Sequence, residues 1–122
     1  MQTLGQKGEL AVSQWLEERG WSILARNQRH TGLEIDLAAH RGATLALVEV
    51  KTRQYRGSPI VLNPRKLEAL RRAGDWAMAQ PWAQVAWNTI RIDLAVLYWQ
   101  EARLRYYACL LYTSDAADDQ LG

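Results

Sequence analysis

Residues 33–53 run Leu-Glu-Ile-Asp-Leu-Ala-Ala-His-Arg-Gly-Ala-Thr-Leu-Ala-Leu-Val-Glu-Val-Lys-Thr-Arg. Charged residues alternate with apolar ones in Glu34-Ile35-Asp36 and again in Glu49-Val50-Lys51, which is the period of a β-strand. Alternation by two directs the charged side chains of each strand to one side of a sheet. Three carboxylates and one ammonium on one surface are unfavourable unless something binds there, and a hard divalent cation suits such a cluster best. The stretch therefore predicts a catalytic metal site.

A turn at residues 40–43 predicts that these two strands pair as an antiparallel hairpin, with the glycine of the turn at its tip. Whether the loop has two or four residues, the register is the same, with Asp36 opposite Leu47 and Glu34 opposite Glu49. Asp36 and Glu49 are then diagonal neighbours roughly 7–8 Å apart at the backbone, so their carboxylates can converge on one ion.

This register sorts the hairpin into two faces. The apolar face carries Leu33, Ile35, Leu37, Ala46, Val48 and Val50. The other face carries Glu34, Asp36, Leu45, Leu47, Glu49, Lys51 and Arg53. A solvated ladder of glutamate and lysine on an edge strand is the alternative interpretation, but the flanking apolar residues favour a central strand.

The length and composition of the chain indicate a single globular domain. A chain of 122 residues buries about two-thirds of its unfolded surface, which is enough for a core. No apolar run approaches the length of a membrane span, and residues 1–5 lack the basic start and apolar run of a signal peptide. We expect a cytoplasmic protein.

Residues 109–122 resemble the in-frame translation of a sequencing adapter, so we expect a domain over 1–108 and a non-native tail over 109–122. A natural acidic tail is the alternative. The lone cysteine, Cys109, falls in this stretch, which leaves no disulfide or thiol chemistry to consider. Without the three acidic residues of the tail, the formal charge of +2 rises to +5, a balance that suits a polyanionic partner.

Periodicity and turn residues give the order helix, strand, hairpin, helix, strand, strand. The predicted elements are a helix over 4–19, a strand over 21–25, the hairpin over 33–53, a helix over 63–80, and strands over 90–98 and 103–107. A stretch with basic Arg26, Arg29 and His30 is expected to connect the first strand to the hairpin, and residues 54–62 to form a loop able to cover or gate the site. This order predicts an α/β fold, a mixed β-sheet flanked by α-helices.

Four motifs in this order resemble one bacterial family. They are Gly5-Gln6-Lys7-Gly8-Glu9-Leu10-Ala11, residues 32–37, Val48-Glu49-Val50-Lys51-Thr52-Arg53 and Arg91-Ile92-Asp93. The chain resembles the YraN-like uncharacterised family, which is similar to the PD-(D/E)XK nuclease superfamily, including archaeal Holliday junction resolvases. The resemblance covers about residues 4–107 and implies a restriction-endonuclease-like fold.

The resemblance also implies roles for individual residues. Asp36 corresponds to the first acid of the nuclease signature, and Glu49 and Lys51 to its second acid and lysine. Glu9 matches a glutamate that resolvase-like members add to the metal shell. These matches imply a Mg²⁺ or Mn²⁺ site formed by Glu9, Asp36 and Glu49, with Lys51 orienting or deprotonating a water or stabilising the phosphate. Leu33 departs from the family, which usually has a small residue there.

Three acids have alternative structural interpretations. Glu9 suits the first turns of a helix, where the macrodipole favours a negative charge. Glu34 is equally well explained as a rim acid paired with Arg53. For Asp93, a structural salt bridge with an arginine is favoured over catalysis.

Basic residues close in sequence to the predicted site suggest a phosphate track. They are Lys7, Arg29, Arg53, Arg56, Arg65 and Lys66. Taken singly, each is more typical of a solvated surface charge, but the basic loop after Lys51 and the start of the second helix lie near the predicted site in sequence, which favours DNA binding.

The sequence leaves three functional hypotheses. The first is a metal-dependent endonuclease acting on DNA, including branched or structured DNA. The second is a catalytically inactive nucleic-acid-binding module of the same fold, and the third is a protein-interaction subunit whose sheet pairs with a partner. The oligomeric state stays open, with a homodimer as one option.

Overall fold

The computed structural model describes residues 1–55 and 63–112, with side chains described as far as residue 108. Most of the predicted covering loop, including Arg56, lies outside the described residues. Residues 113–122 of the predicted tail lie outside them as well.

Within residues 1–55 and 63–112, two α-helices and a five-stranded sheet make up the fold. The elements are α1 (Leu4–Glu18), β1 (Ser22–His30), β2 (Leu33–Arg41), β3 (Thr44–Arg53), α2 (Pro64–Met78), a 3-10 turn (Pro81–Ala83), β4 (Thr89–Tyr98) and β5 (Arg103–Tyr112). The strands lie in the order β1-β2-β3-β4-β5, and only the β3 and β4 pair is parallel. The predicted α/β fold with a mixed sheet flanked by helices is confirmed.

The helix starts follow from local capping. Thr3 and Gln6 form a capping box at the start of α1. Asn63 caps α2 through a bond from the Lys66 N–H, and Pro64 occupies the first turn, where its missing donor costs nothing. No helix among the described residues is long and apolar enough to cross a membrane.

Strand β1 is longer than the sequence predicted. Its basic half, expected to be a connection, continues as strand to His30 and pairs with β2, with Arg26 beside Leu37 and Arg29 beside Glu34. The prediction failed because β1 is an edge strand whose outer side chains stay exposed, so its second half lacks an apolar pattern. Strand β5 also runs beyond the predicted end, and its backbone pairs with β4 as far as Tyr112.

The hairpin between β2 and β3 has a different register from the predicted one. Arg41 pairs with Thr44, so the two-residue loop is Gly42-Ala43, and Gly42 takes a positive φ of 58° that glycine tolerates best. Leu47 therefore pairs with Ala38, and the prediction that it faces Asp36 was wrong. The shift is two residues, so each side chain of the paired segment keeps its face.

Helix α1 covers one face of the sheet, and helix α2 covers the other. On the α1 side, Val12 and Leu16 pack with Leu37 and Val48 in one buried cluster. On the α2 side, the second cluster contains Ile35, Ala38, Leu45, Leu47, Leu70, Ala73, Ala77 and Ile92.

The apolar side chains of β2 change sides at Asp36. Leu33 and Ile35 pack with the α2 cluster, whereas Leu37 packs with the α1 cluster. The prediction that these three residues share a face was wrong. Strict alternation assumes a regular ladder, and here the position facing Asp36 on β1 falls at Asn27, which has a positive φ of 50°.

Candidate functional site

The candidate site lies at a fork in the sheet. Pairing between β2 and β3 ends at Leu37 and Val48, after which β2 continues beside β1 and β3 continues beside β4. Asp36 and Glu49 are the first residues past the last pair of the ladder. The charge of Glu49 acts on the Asp36 carboxylate, so the two acids lie near each other at this fork.

A backbone bond across the fork fixes the Asp36 side chain. The N–H of Val50 donates to Asp36 Oδ2 at 2.8 Å, so the carboxylate takes the place of a strand carbonyl. Asp36 is only 5% exposed. A buried carboxylate with one charge-assisted hydrogen bond is oriented but still poorly solvated.

Burial, together with neighbouring acids, makes the Asp36 carboxylate unusually basic. Burial is the main cause that raises its pKa to about 7, and the negative charge of Glu49 is the second. The charges of Glu9 and Glu34 act in the same direction, against the lowering effect of the Val50 hydrogen bond. A bound cation would offset this repulsion.

Glu49 is a buried acid held by two lysines. It is 8% exposed on β3, which lies between β2 and β4. Lys51 Nζ lies 3.0 Å and Lys66 Nζ 3.6 Å from Glu49 Oε1. The interpretation as a solvated ladder on an edge strand was therefore wrong, and the charges belong to the centre of the sheet.

Helix α1 brings Glu9 towards this acidic group. Burial and the charge of Glu34 raise the pKa of Glu9, Glu49 adds to the rise, and Arg29 and a hydrogen bond from Asn27 oppose it. Glu9 is thus within electrostatic range of the fork, although it comes from a different element. Its role as a metal ligand stays a prediction.

Glu34 lies at the rim but not with the predicted partner. Its Oε1 atom is 3.4 Å from Arg29 Nη2 on the neighbouring strand β1. Arg53 Nη1 instead donates to the carbonyl of Thr52. The expected pair with Arg53 was wrong because β2 and β3 have already separated at this level, so Glu34 faces β1.

The donor chemistry of the fork fits a hard divalent cation. Within residues 1–55 and 63–108, no three metal-ligating side chains stand together as a complete set. Asp36 and Glu49 nevertheless provide a buried pair of carboxylates. Mg²⁺ is usually held by one or two carboxylates, with waters and substrate phosphates completing its shell. Two such acids therefore suffice for an ion that is shared with a phosphate.

The predicted DNA-contacting residues lie on several elements. Arg65 is exposed in the first turn of α2, next to Lys66. Lys7 is exposed near the start of α1, with its ammonium 5.8 Å from the centre of the Trp99 ring. Arg53 is the last residue of β3, and Arg29 is the next to last residue of β1. Their contact with DNA stays a prediction.

The sequence did not reveal the contact of Lys66 with Glu49. Lys66 was expected to face a DNA backbone, but its position at the start of α2 brings it to an acid of the fork. The spacing of 17 residues between the two gives no local signal, because α2 follows a connection whose path the sequence does not specify.

Asp93 belongs to a separate buried network on β4. Its carboxylate accepts a bond from Arg91 Nε at 3.1 Å and one from the Tyr106 hydroxyl at 2.5 Å, and it is fully buried. The expected salt bridge with an arginine is confirmed.

Residues 8–97 match the model of a family described as "Uncharacterised protein family UPF0102". The chain belongs to this family. The YraN-like resemblance inferred from the four motifs is therefore confirmed. A UPF0102 protein of Synechococcus sp. is 37% identical over 101 residues, which are 80% of this chain and 76% of that protein. A UPF0102 protein of Synechocystis sp. is 38% identical over 108 residues, covering 82% of this chain and 70% of the relative.

A solved structure has the same fold. The Holliday junction resolvase Hjc of Archaeoglobus fulgidus matches 85% of this chain and 76% of its own length, with a TM-score of 0.55 and 20% sequence identity. At this identity the similarity establishes the shared architecture, which is the nuclease-like fold expected from the sequence.

Proposed function

We propose that this UPF0102 member is a Mg²⁺- or Mn²⁺-dependent endonuclease of the cytoplasm that hydrolyses phosphodiester bonds in DNA, including branched or structured DNA. The observation that carries the proposal is the fork, where the buried acids Asp36 and Glu49 meet beside Lys51. The fold shared with a Holliday junction resolvase supports the choice of DNA as substrate.

Asp36, Glu49 and Glu9 would hold the ion through carboxylate oxygens. When bound, such an ion supplies Lewis-acid chemistry that makes a water more acidic and offsets charge on the phosphate. The Val50 N–H keeps one Asp36 oxygen fixed, so the acid does not have to reorganise when substrate arrives.

Lys51 supplies the positive charge for the reacting phosphate. Its ammonium is 3.0 Å from Glu49 Oε1, and its side chain is 27% exposed, so it can contact substrate while it stays close to Glu49. As an ammonium, Lys51 would orient the attacking water and donate hydrogen bonds to the phosphate as a compact point charge.

The basic residues at the strand and helix ends would bind the DNA backbone. In this proposal Lys7, Arg29, Arg53, Arg56, Arg65 and Lys66 provide phosphate contacts, which would make binding strongly salt-dependent.

The test is a cleavage assay with the full chain on linear, single-stranded, flap and four-way-junction DNA, with Mg²⁺, with Mn²⁺ and with EDTA. We expect cleavage that needs the metal and that Asp36→Ala and Lys51→Ala abolish. Asp75→Ala, which removes an exposed acid of α2, is the matched control and should retain cleavage. A folded wild-type protein that cuts none of these DNAs in either metal would exclude the proposal.

A second function is favoured by the two lysines on Glu49. With two ammonium groups at one carboxylate, the acid is already neutralised without a metal. This arrangement suits a catalytically inactive nucleic-acid-binding module. Such a module would bind DNA in a salt-sensitive way, give no products in either metal, and keep its affinity after Lys51→Ala.

A further inference from the structure

Lys66, besides its predicted contact with DNA, contacts a buried acid of the fork. Its Nζ atom is 3.6 Å from Glu49 Oε1, the same oxygen that Lys51 approaches to 3.0 Å. One oxygen of a buried acid thus faces two ammonium groups, which come from a strand and from a helix. A carboxylate oxygen with two cationic neighbours has little capacity left for a metal ion.

The two lysines differ in how freely they can move. Lys51 is attached to β3, two residues from Glu49 on the same strand. Lys66 stands in the first turn of α2, and its side chain is 37% exposed, more than that of Lys51. Moving the Lys66 ammonium away from Glu49 therefore costs less free energy than moving that of Lys51.

A small cavity beside Lys66 has room for its ammonium group. The cavity has a volume of about 100 Å³ and is lined by Lys66 and Glu49 together with Gly32, Leu33, Glu34, Ala69, Leu70 and Ala73. Glu34 on its wall is a second carboxylate, and its present partner Arg29 is 3.4 Å away and mostly exposed. The absence of a side chain at Gly32 and the single methyl groups of Ala69 and Ala73 leave this space open.

We propose that Lys66 is a positioning residue that holds Glu49 while the metal is absent and gives up Glu49 Oε1 to the ion when the ion binds. The displaced ammonium moves into the cavity towards Glu34, or onto a substrate phosphate beside it. Lys66 and the divalent cation thus compete for one oxygen. This inference rests on the proposed function, because it takes the fork to be a metal site.

The test is calorimetric titration of Mn²⁺ into the full chain without DNA. Removing the competing ammonium in Lys66→Gln should lower the Kd for Mn²⁺ roughly fivefold, the scale of a partly exposed ion pair. Lys66→Arg retains the charge and should keep the wild-type Kd. Arg72→Gln is the matched control, since it removes one positive charge from an exposed position of the same helix.

Comparing these variants distinguishes the loss of the contact between Lys66 and Glu49 from the general effect of removing one positive charge. A gain in Mn²⁺ affinity that is larger in Lys66→Gln than in Arg72→Gln, and that Lys66→Arg does not show, supports the proposal. Lys66→Met, which keeps the aliphatic part of the side chain, should repeat the gain if Lys66→Gln is poorly folded.

Two results would overturn the inference. Equal Mn²⁺ affinities for Lys66→Gln and Arg72→Gln, with a wild type that binds Mn²⁺, would exclude the competition and leave the proposed metal site standing. Absence of Mn²⁺ binding by the wild type and by all Lys66 variants would exclude both.

Discussion

A Cβ atom on Gly8 would lie 1.8 Å from Thr52 Oγ1, so α1 and β3 are in backbone-to-side-chain contact at these two residues. Gly8 precedes Glu9, and Thr52 follows Lys51. The contact therefore sets how close the acid of α1 comes to the strand that carries Glu49 and Lys51. A helix residue without a side chain is what permits this approach.

Gly8→Ala should destabilise the protein by about 1–3 kcal/mol, because the added methyl group would clash with the Thr52 side chain of β3, and this cost exceeds the gain in helix propensity from alanine. Chemical unfolding measures the change. Gly5→Ala is the matched control, since the nearest atom to its Cβ is 3.9 Å away. It should be stabilising by up to about 1 kcal/mol. Equal effects of the two substitutions would contradict the close contact.

Stability should fall as the pH rises from about 4 to 7, because the pKa of Asp36 is raised to about 7 in the folded protein and is about 3.9 when unfolded. In this window the folded state keeps a proton that the unfolded state has lost, so raising the pH favours unfolding. Each unit of pKa displacement corresponds to about 1.4 kcal/mol.

Urea unfolding of the wild type and of Asp36→Asn across this range measures the effect. Asparagine retains an acceptor for the Val50 N–H but carries no charge, so Asp36→Asn should lose less stability on raising the pH and be the more stable protein at pH 8. Asp75→Asn, at an exposed position, should follow the wild type. A pH profile of Asp36→Asn identical to that of the wild type would contradict the assignment.

Mn²⁺ should stabilise the folded protein at pH 8, because the ion offsets the repulsion among the carboxylates at the fork. At a metal concentration of 100 times the Kd, the gain is about 2.7 kcal/mol. Thermal unfolding with Mn²⁺ and then with EDTA measures it, and EDTA should reverse it. Asp36→Asn should respond little, whereas Asp75→Asn should respond like the wild type. Equal stabilisation of both variants would indicate that the ion binds elsewhere.

Loss of Asp93 should cost more than loss of its hydroxyl partner. Asp93→Ala leaves Arg91 without its buried counter-charge and should destabilise by about 3–5 kcal/mol. Tyr106→Phe removes one hydrogen bond to the same carboxylate and should cost about 1–3 kcal/mol. Glu68→Gln breaks an exposed pair with Arg71 and should leave stability near that of the wild type. Chemical unfolding of the three variants checks this order, and a smaller loss in Asp93→Ala than in Tyr106→Phe would contradict it.

DNA binding should weaken when the basic residues at the open end of the fork are neutralised. Arg53→Gln and Arg65→Gln should each lower affinity and reduce the slope of log K against log salt by about 1. Arg19→Gln is the control. Its backbone carbonyl accepts a bond from Arg41 at the hairpin turn, which places it at the opposite end of β2 from Asp36. Fluorescence anisotropy over a range of salt concentrations measures the slopes, and equal losses in all three variants would exclude a localised DNA track.

The order of elements was predictable because its signals are local. Asn63-Pro64 indicated the start of α2, and the alternation of apolar and polar residues in β2, β3 and β4 indicated three strands. The exposed half of β1 was missed because an edge strand needs no apolar pattern.

The sequence by itself determined that two acids and a lysine alternate with apolar residues in neighbouring strands, but not that the apolar side chains of β2 change sides at Asp36. Tertiary structure decided the rest. The loop at Gly42-Ala43 shifted the register by two residues, which makes Asp36 and Glu49 the first residues past the last β2–β3 pair. The docking of α2 brought Lys66 to Glu49. These features depend on where a turn closes and on how helices pack against the sheet, and both are set by contacts between residues far apart in the chain.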